Sequence, residues 1–144
     1  AYDALPEATK AKLEGLIAEH SIWHSRAQHG GYKPTEEEIR LRPPARHPVV
    51  RQHPGSGRKA LYIASHASHI IGWPVEEGRA LLRELLAHAT QPRFVYSHKW
   101  RLGDLVIWDN RCTLHRATPF ESSTHVRDMR RSTVIDVRAE AMAS

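Results

Sequence analysis

The feature that most constrains this chain is an alternation close to its C-terminal end. From Arg127 the odd positions read Arg127, Met129, Arg131, Thr133, Ile135 and Val137. The even positions read Asp128, Arg130, Ser132, Val134, Asp136 and Arg138. Successive side chains of a strand point to opposite faces, so the pattern predicts a strand with a polar even face and a core-like odd face. The odd face also carries two guanidinium groups. An arginine turned inward is costly unless it meets an anion. Arg127 and Arg131 therefore require carboxylates, from the protein or from a ligand. Four residues of strand would set them about 13 Å apart at the backbone.

The segment leading to this strand reads DLVIWDNRCTLH. Leu105 to Trp108 is a continuous apolar run, which predicts a strand buried on both faces. Asp109 and Asn110 are turn residues that bond the backbone through their side chains. Arg111 has Asp109 as a candidate partner, and Cys112 reads as a packed small residue rather than a nucleophile. His115 follows the turn and is a candidate ligand or catalytic group. Further upstream, Phe94, Tyr96, His98 and Trp100 alternate with Val95, Ser97, Lys99 and Arg101, again a strand pattern.

A helix is predicted over about Val75 to Ala89, where Leu81, Leu82, Leu85 and Leu86 share a face and Pro74, Glu76 and Glu77 suit its start. HPVVRQH and KALYIAS, separated by Pro54-Gly55-Ser56-Gly57, predict a hairpin with a longer loop. HASHIIGWP reads as a loop. The first 20 residues read as a helix, and 21 to 46 as irregular apart from a short capped turn after Thr35. Short strands, tight turns and one interposed helix point to a β-sandwich or jelly roll with helical decoration.

At 144 residues one domain is the expectation. A net charge of +5 raises nucleic acid as a partner, but the basic residues are dispersed among acids. That favours a basic soluble protein over nucleic-acid binding, and a basic site for small anionic ligands fits equally well. The single cysteine allows no internal disulfide, which suits a reducing compartment. No apolar run is long enough for a membrane span, and AYDALPEATKAK lacks the apolar stretch of a signal peptide. A cytoplasmic location is expected. Most of the eleven histidines take ordinary readings. His20, His24 and His29 are expected to face solvent, and the HxxH pair His66 and His69 lacks the HExxH context of a zinc site.

WDNRCTLHRA, followed by Arg127, Arg131 and Ser132-Thr133, resembles the Fe(II)/α-ketoglutarate-dependent dioxygenases of the taurine dioxygenase and aryloxyacetate (phenoxy herbicide) dioxygenase family. The stretch from GSGRKALYIASHASHIIGWP to WDNR is similar to the aryloxyacetate branch. The resemblance implies a double-stranded β-helix, a form of jelly roll. It implies an iron held by an HxD motif and a distal histidine, with α-ketoglutarate and O2 as cosubstrates. His115 stands where the distal histidine belongs. Arg127, twelve residues on, matches the arginine that pairs with the far carboxylate of α-ketoglutarate. Arg131 matches the arginine that grips the acidic group of the substrate, and Trp108 a tryptophan near the metal pocket. The implied reaction decarboxylates α-ketoglutarate to succinate and hydroxylates a small organic acid, an aryloxyalkanoate or a taurine-like sulfonate.

One departure matters. No histidine here is followed two residues later by Asp or Glu. The expectation is therefore that residues 1–144 are the C-terminal part of a single dioxygenase domain, without its HxD-bearing part, inactive alone and prone to assemble into oligomers. A non-catalytic anion-binding or assembly module is the alternative, and a basic nucleic-acid-binding protein a more distant one.

Overall fold

The computed structural model describes residues 1–134. It divides into two compact units, Ala1–Leu114 and His115–Ser144. In the first, helix α1 (Glu7–Leu13) follows Pro6. Gly15, with φ of 73°, turns the chain in a conformation that favours glycine. Strand β1 (Ile17–His20) comes next. The continuous N-terminal helix expected from the sequence is thus cut at Leu13. The reason is tertiary. β1 is bonded along both edges, antiparallel to β2 (Ala45–Pro48) and to β5 (Ala67–Ile70).

Residues 21–46 are more regular than expected. Ser21 accepts from the His24 amide and caps helix α2 (Ile22–Gly30), which ends at Gly31 in the left-handed region. Helix α3 (Glu36–Leu41) starts at a full capping box between Thr35 and Glu38. The Trp23 indole is buried and donates to the Arg42 carbonyl at 3.1 Å, tying the start of α2 to the end of α3.

The expected hairpin forms as β3 (Val50–Gln52) against β4 (Lys59–Leu61). Its first half is shared: His47 belongs to β2, in the other sheet. Fully buried Val49 joins the two sheets, its amide bonding the Leu16 carbonyl and its carbonyl accepting from the Tyr62 amide. The supposed loop HASHIIGWP contains β5. Ala67 and Ser68 are both buried, and the register shifts between Glu19 and His20, so no simple alternation marks this strand.

Helix α4 (Val75–Ala89) spans the residues the sequence pattern gave. Leu81, Leu82 and Leu85 are buried and pack with Ile70 and Leu13 in the core. Gly78 lets the helix approach β5. A Cβ there would lie 2.8 Å from the Ile70 backbone nitrogen.

After α4 the expected strands are not present among the described residues. A 3-10 turn (Pro92–Phe94) is followed by chain that belongs to no sheet through 95–101, 105–108 and 127–134. Ile135 to Val137 lie outside the described residues. A strand is held by the backbone of a neighbour. These segments have the side-chain pattern without such a partner here, and Leu105 and Ile107 are exposed at 84% and 85%. The observed β-structure is a three-stranded and a two-stranded sheet, not a closed jelly roll. In the second unit, the described part is exposed chain with one turn, where Ser123 Oγ donates to Glu121.

Gly78→Ala is expected to cost about 1–3 kcal/mol, because the added Cβ would clash with the Ile70 backbone and α4 must shift. Gly30→Ala, with open space around its Cβ, should be neutral or slightly stabilising. Urea unfolding of the two variants checks both outcomes.

Candidate functional site

The turn that precedes His115 is built around the Asp109 carboxylate. Its Oδ1 accepts from the Arg111 amide at 2.8 Å, as an Asx-type turn requires. The Arg111 guanidinium closes on the same carboxylate, with Nε at 3.0 Å from each oxygen and the terminal nitrogen at 2.7 Å from Oδ2. The amides of Cys112 and Thr113 both donate to the Asp109 carbonyl. The pairing of Arg111 with Asp109 is as the sequence suggested. Asn110 instead accepts from the Trp108 indole nitrogen at 2.9 Å. Cys112 is exposed rather than packed, because the turn lies at the surface.

A residue from the β3–β4 loop completes this arrangement. His53 Nδ1 accepts from the Ser56 amide at 3.1 Å, so the ring proton sits on Nε2. Nε2 lies 3.0 Å from Asp109 Oδ2 and donates to it. Arg111 first, then His53, holds the Asp109 carboxyl well below the usual carboxylate range. Nothing in the sequence signalled the His53–Asp109 contact, since the two are 56 residues apart. The only cue was that His53 opens a tight turn.

His53, Asp109 and Cys112 also bring three potential metal-ligand atoms within 4.8 Å of one another. Their bonding argues against a metal centre. A metal on Nε2 needs the proton on Nδ1, where the Ser56 amide already donates. Both Asp109 oxygens are engaged by Arg111. His53, Asp109 and Arg111 form a hydrogen-bonded lock between two loops.

A second constellation lies at one end of the three-stranded sheet. His20, expected to face solvent, is 8% exposed. It ends β1, where both neighbouring strands cover it. His47 and His66 meet its ring edge-on at centroid distances of 5.3 and 5.8 Å, and Tyr62 lies at 5.5 Å. Burial first, then His47 and His66, pushes the His20 pKa down to about 4. His66 and His69 do not form a two-ligand helical turn. His66 joins His20, whereas His69 stands opposite Glu19 on β1, 4.0 Å from its carboxylate. His24 is partly buried and held below the ordinary histidine range by burial, and the His29 side chain lies outside the described part.

Trp108 belongs to the first unit and is partly buried; His115, Arg127 and Arg131 belong to the second, and all three are exposed. The inward face expected for the two arginines is therefore not seen, since their segment has no strand partner. Arg127 Nε lies 2.9 Å from Met129 Sδ, and its guanidinium sits over the Phe120 ring at 5.7 Å. An open groove lined by Tyr96, His98, Lys99, Arg101 and Asp104 holds none of the four expected site residues.

The chain matches the family described as taurine catabolism dioxygenase TauD, TfdA family, over residues 1–133, and it belongs to that family. It is 53% identical over 138 residues to an alpha-ketoglutarate-dependent 2,4-dichlorophenoxyacetate dioxygenase of Burkholderia sp. (strain RASC), covering 96% of this chain and 46% of that protein. It is 42% identical over 132 residues to an (S)-phenoxypropionate/alpha-ketoglutarate-dioxygenase of Sphingobium herbicidovorans, covering 84% and 44%. The chain thus spans under half the length of these relatives. Among solved structures it is similar to AAD-2 in complex with Mn(II) and N-oxalylglycine, with 51% identity, a TM-score of 0.85, and coverage of 90% of this chain and 51% of that one. Among the described residues no helix is long and apolar enough to cross a membrane.

The lock gives a direct test. In a double-variant cycle of His53→Phe and Asp109→Asn, the two changes should couple by about 1 kcal/mol in urea unfolding. Additive losses would show that the contact contributes no pairwise stability.

Proposed function

We propose that this chain is the part of an Fe(II)- and α-ketoglutarate-dependent dioxygenase that carries the distal histidine and the two anion-binding arginines. The observation that carries the reading is the family match over residues 1–133, joined to relatives named for α-ketoglutarate and aryloxyalkanoic acids. His115 offers one imidazole to the iron. Arg127 forks onto the far carboxylate of α-ketoglutarate, and Arg131 onto the acid of the substrate, each through two parallel N–H donors. Trp108 flanks the pocket. An aryloxyalkanoate is favoured over a taurine-like sulfonate, because the relatives above 40% identity are named for phenoxy acids. The protein takes no nucleic acid, works in the cytoplasm away from the membrane, and can self-associate.

The residues of this chain do not by themselves make up the iron's ligand set. The HxD pair has no counterpart in the sequence, and in the one ligand-like trio among the described residues His53 and Asp109 are already bonded to each other and to Ser56 and Arg111. No reaction step is therefore assigned to the 144 residues alone. In the complete domain, segments 94–101, 105–108 and 127–134 become strands of the double-stranded β-helix once neighbours supply their backbone partners. That pairing would bring Arg127 and Arg131 onto one face, as their parity requires.

The absent HxD pair also favours a second reading, a non-catalytic anion-binding or assembly module. The two differ in a succinate assay. The chain alone should release no succinate from α-ketoglutarate. Supplied with an HxD-bearing segment from a relative, it should do so when given Fe(II) and an aryloxyacetate. Metal-independent α-ketoglutarate binding with no turnover under either condition would favour the module.

In the assembled enzyme, Arg131→Gln should raise KM for the acid substrate roughly 30-fold while changing KM for α-ketoglutarate far less, the cost of losing one charge-assisted fork. Equal effects on the two would remove Arg131 from its role as the substrate clamp.

A further inference from the structure

We propose that His20, His47 and His66 form an acid-sensitive catch that holds one end of the β2–β1–β5 sheet closed and opens it when the imidazoles take up protons. The geometry places one histidine at each of three chain segments that meet there. His20 ends β1, His47 lies on β2, and His66 immediately precedes β5. The His66 carbonyl also accepts from the Ser21 amide at 2.8 Å, so the same corner holds the start of α2.

His20 is the group on which the catch turns. Its Nε2 is fully buried and has no hydrogen-bond partner. As a neutral ring it is tolerated among aromatic neighbours. As a cation it would have a buried, unsatisfied N–H and no compensating charge. The ionisable groups that bear on it are His47 and His66, and both are themselves held below the ordinary histidine range by burial. Tyr62 packs against both His20 and His47 and carries the Arg51 guanidinium over its ring at 4.6 Å. Arg51 depresses His47 further. Every facing group is thus neutral or cationic, and a proton gained by one ring makes the next less favourable.

The sign follows from linkage. A histidine whose folded pKa lies below its unfolded one binds more protons when unfolded, so stability rises with pH in the interval between them. The contribution of His20 is complete above about pH 6.5. It is lost as the pH falls towards about 4, with no further loss below that. Each pH unit inside this window lowers the opening equilibrium constant's protection about tenfold per proton.

The test compares wild type, His20→Gln and His20→Leu by urea unfolding and amide exchange at pH 7.5 and at pH 5.0. Wild type should lose on the order of tenfold more of its folding constant than either variant over this interval. The Ser21 amide and the β1–β2 ladder should open before the amides of α4. An equal pH-dependent loss in wild type and variants overturns the proposal, as does simultaneous opening of α4 and the sheet end. Should both variants fail to fold, histidine proton resonances of the wild type decide. His20 must stay neutral until Ser21 exchange accelerates. Titration of His20 near the ordinary histidine pKa, with Ser21 still protected, overturns the proposal.

Discussion

Strand β1 depends on two neighbours, and the first unit depends on β1. Its backbone groups are taken up by β2 on one edge and β5 on the other. Local preference did not favour this outcome, since Leu13, Leu16 and Ile17 continue an apolar helical stripe. What overrides the stripe is the Gly15 turn together with the gain from pairing both edges and burying Ala18 completely. β5 in turn offers Ile70 to α4, and Gly78 allows that approach. One strand of four residues therefore links the N-terminal helix, the sheet and, through β5, the longest helix among the described residues.

The same dependence accounts for what is not formed. Leu105 to Trp108 and the alternation from Phe94 have strand composition, yet their backbones find no ladder among the described residues. β-propensity expresses how well a side chain suits a pleated, half-buried surface, and it supplies no hydrogen-bond partner. Helix α4 differs in kind, because a helix satisfies its backbone from within. That is why α4 was legible to the residue, the Thr35 capping box was legible, and the β3–β4 hairpin with its turn residues was nearly so. β1 and β5 were not, since each is specified by chain far away in sequence.

The site divides along the same line. The Asp109–Arg111 pairing is local, two residues apart, and follows from turn chemistry. His53 reaches Asp109 across 56 residues, and no spacing rule connects them. His20 misled for a related reason. A histidine at the end of an apparent surface helix is ordinarily solvated, but here the strand it ends is the middle of a sheet. The roles of His115, Arg127 and Arg131 rest on resemblance to a family, and for the two arginines also on their shared parity.

Both arginines of this alternation are in water. An exposed guanidinium needs no anion, because solvent meets its five donors. The requirement arises only when residues 127–134 become a strand with one face turned inward. On the proposed reading, ordering of this segment and binding of the two acids are then thermodynamically linked. Strand formation without the anions would strand two buried cations, and anion binding without the strand would lack the fixed spacing that discriminates one acid from the other. Each event lowers the cost of the other. On that reading, the alternation over 127–134 favours the strand most where partners for the backbone and partners for the charges are supplied together.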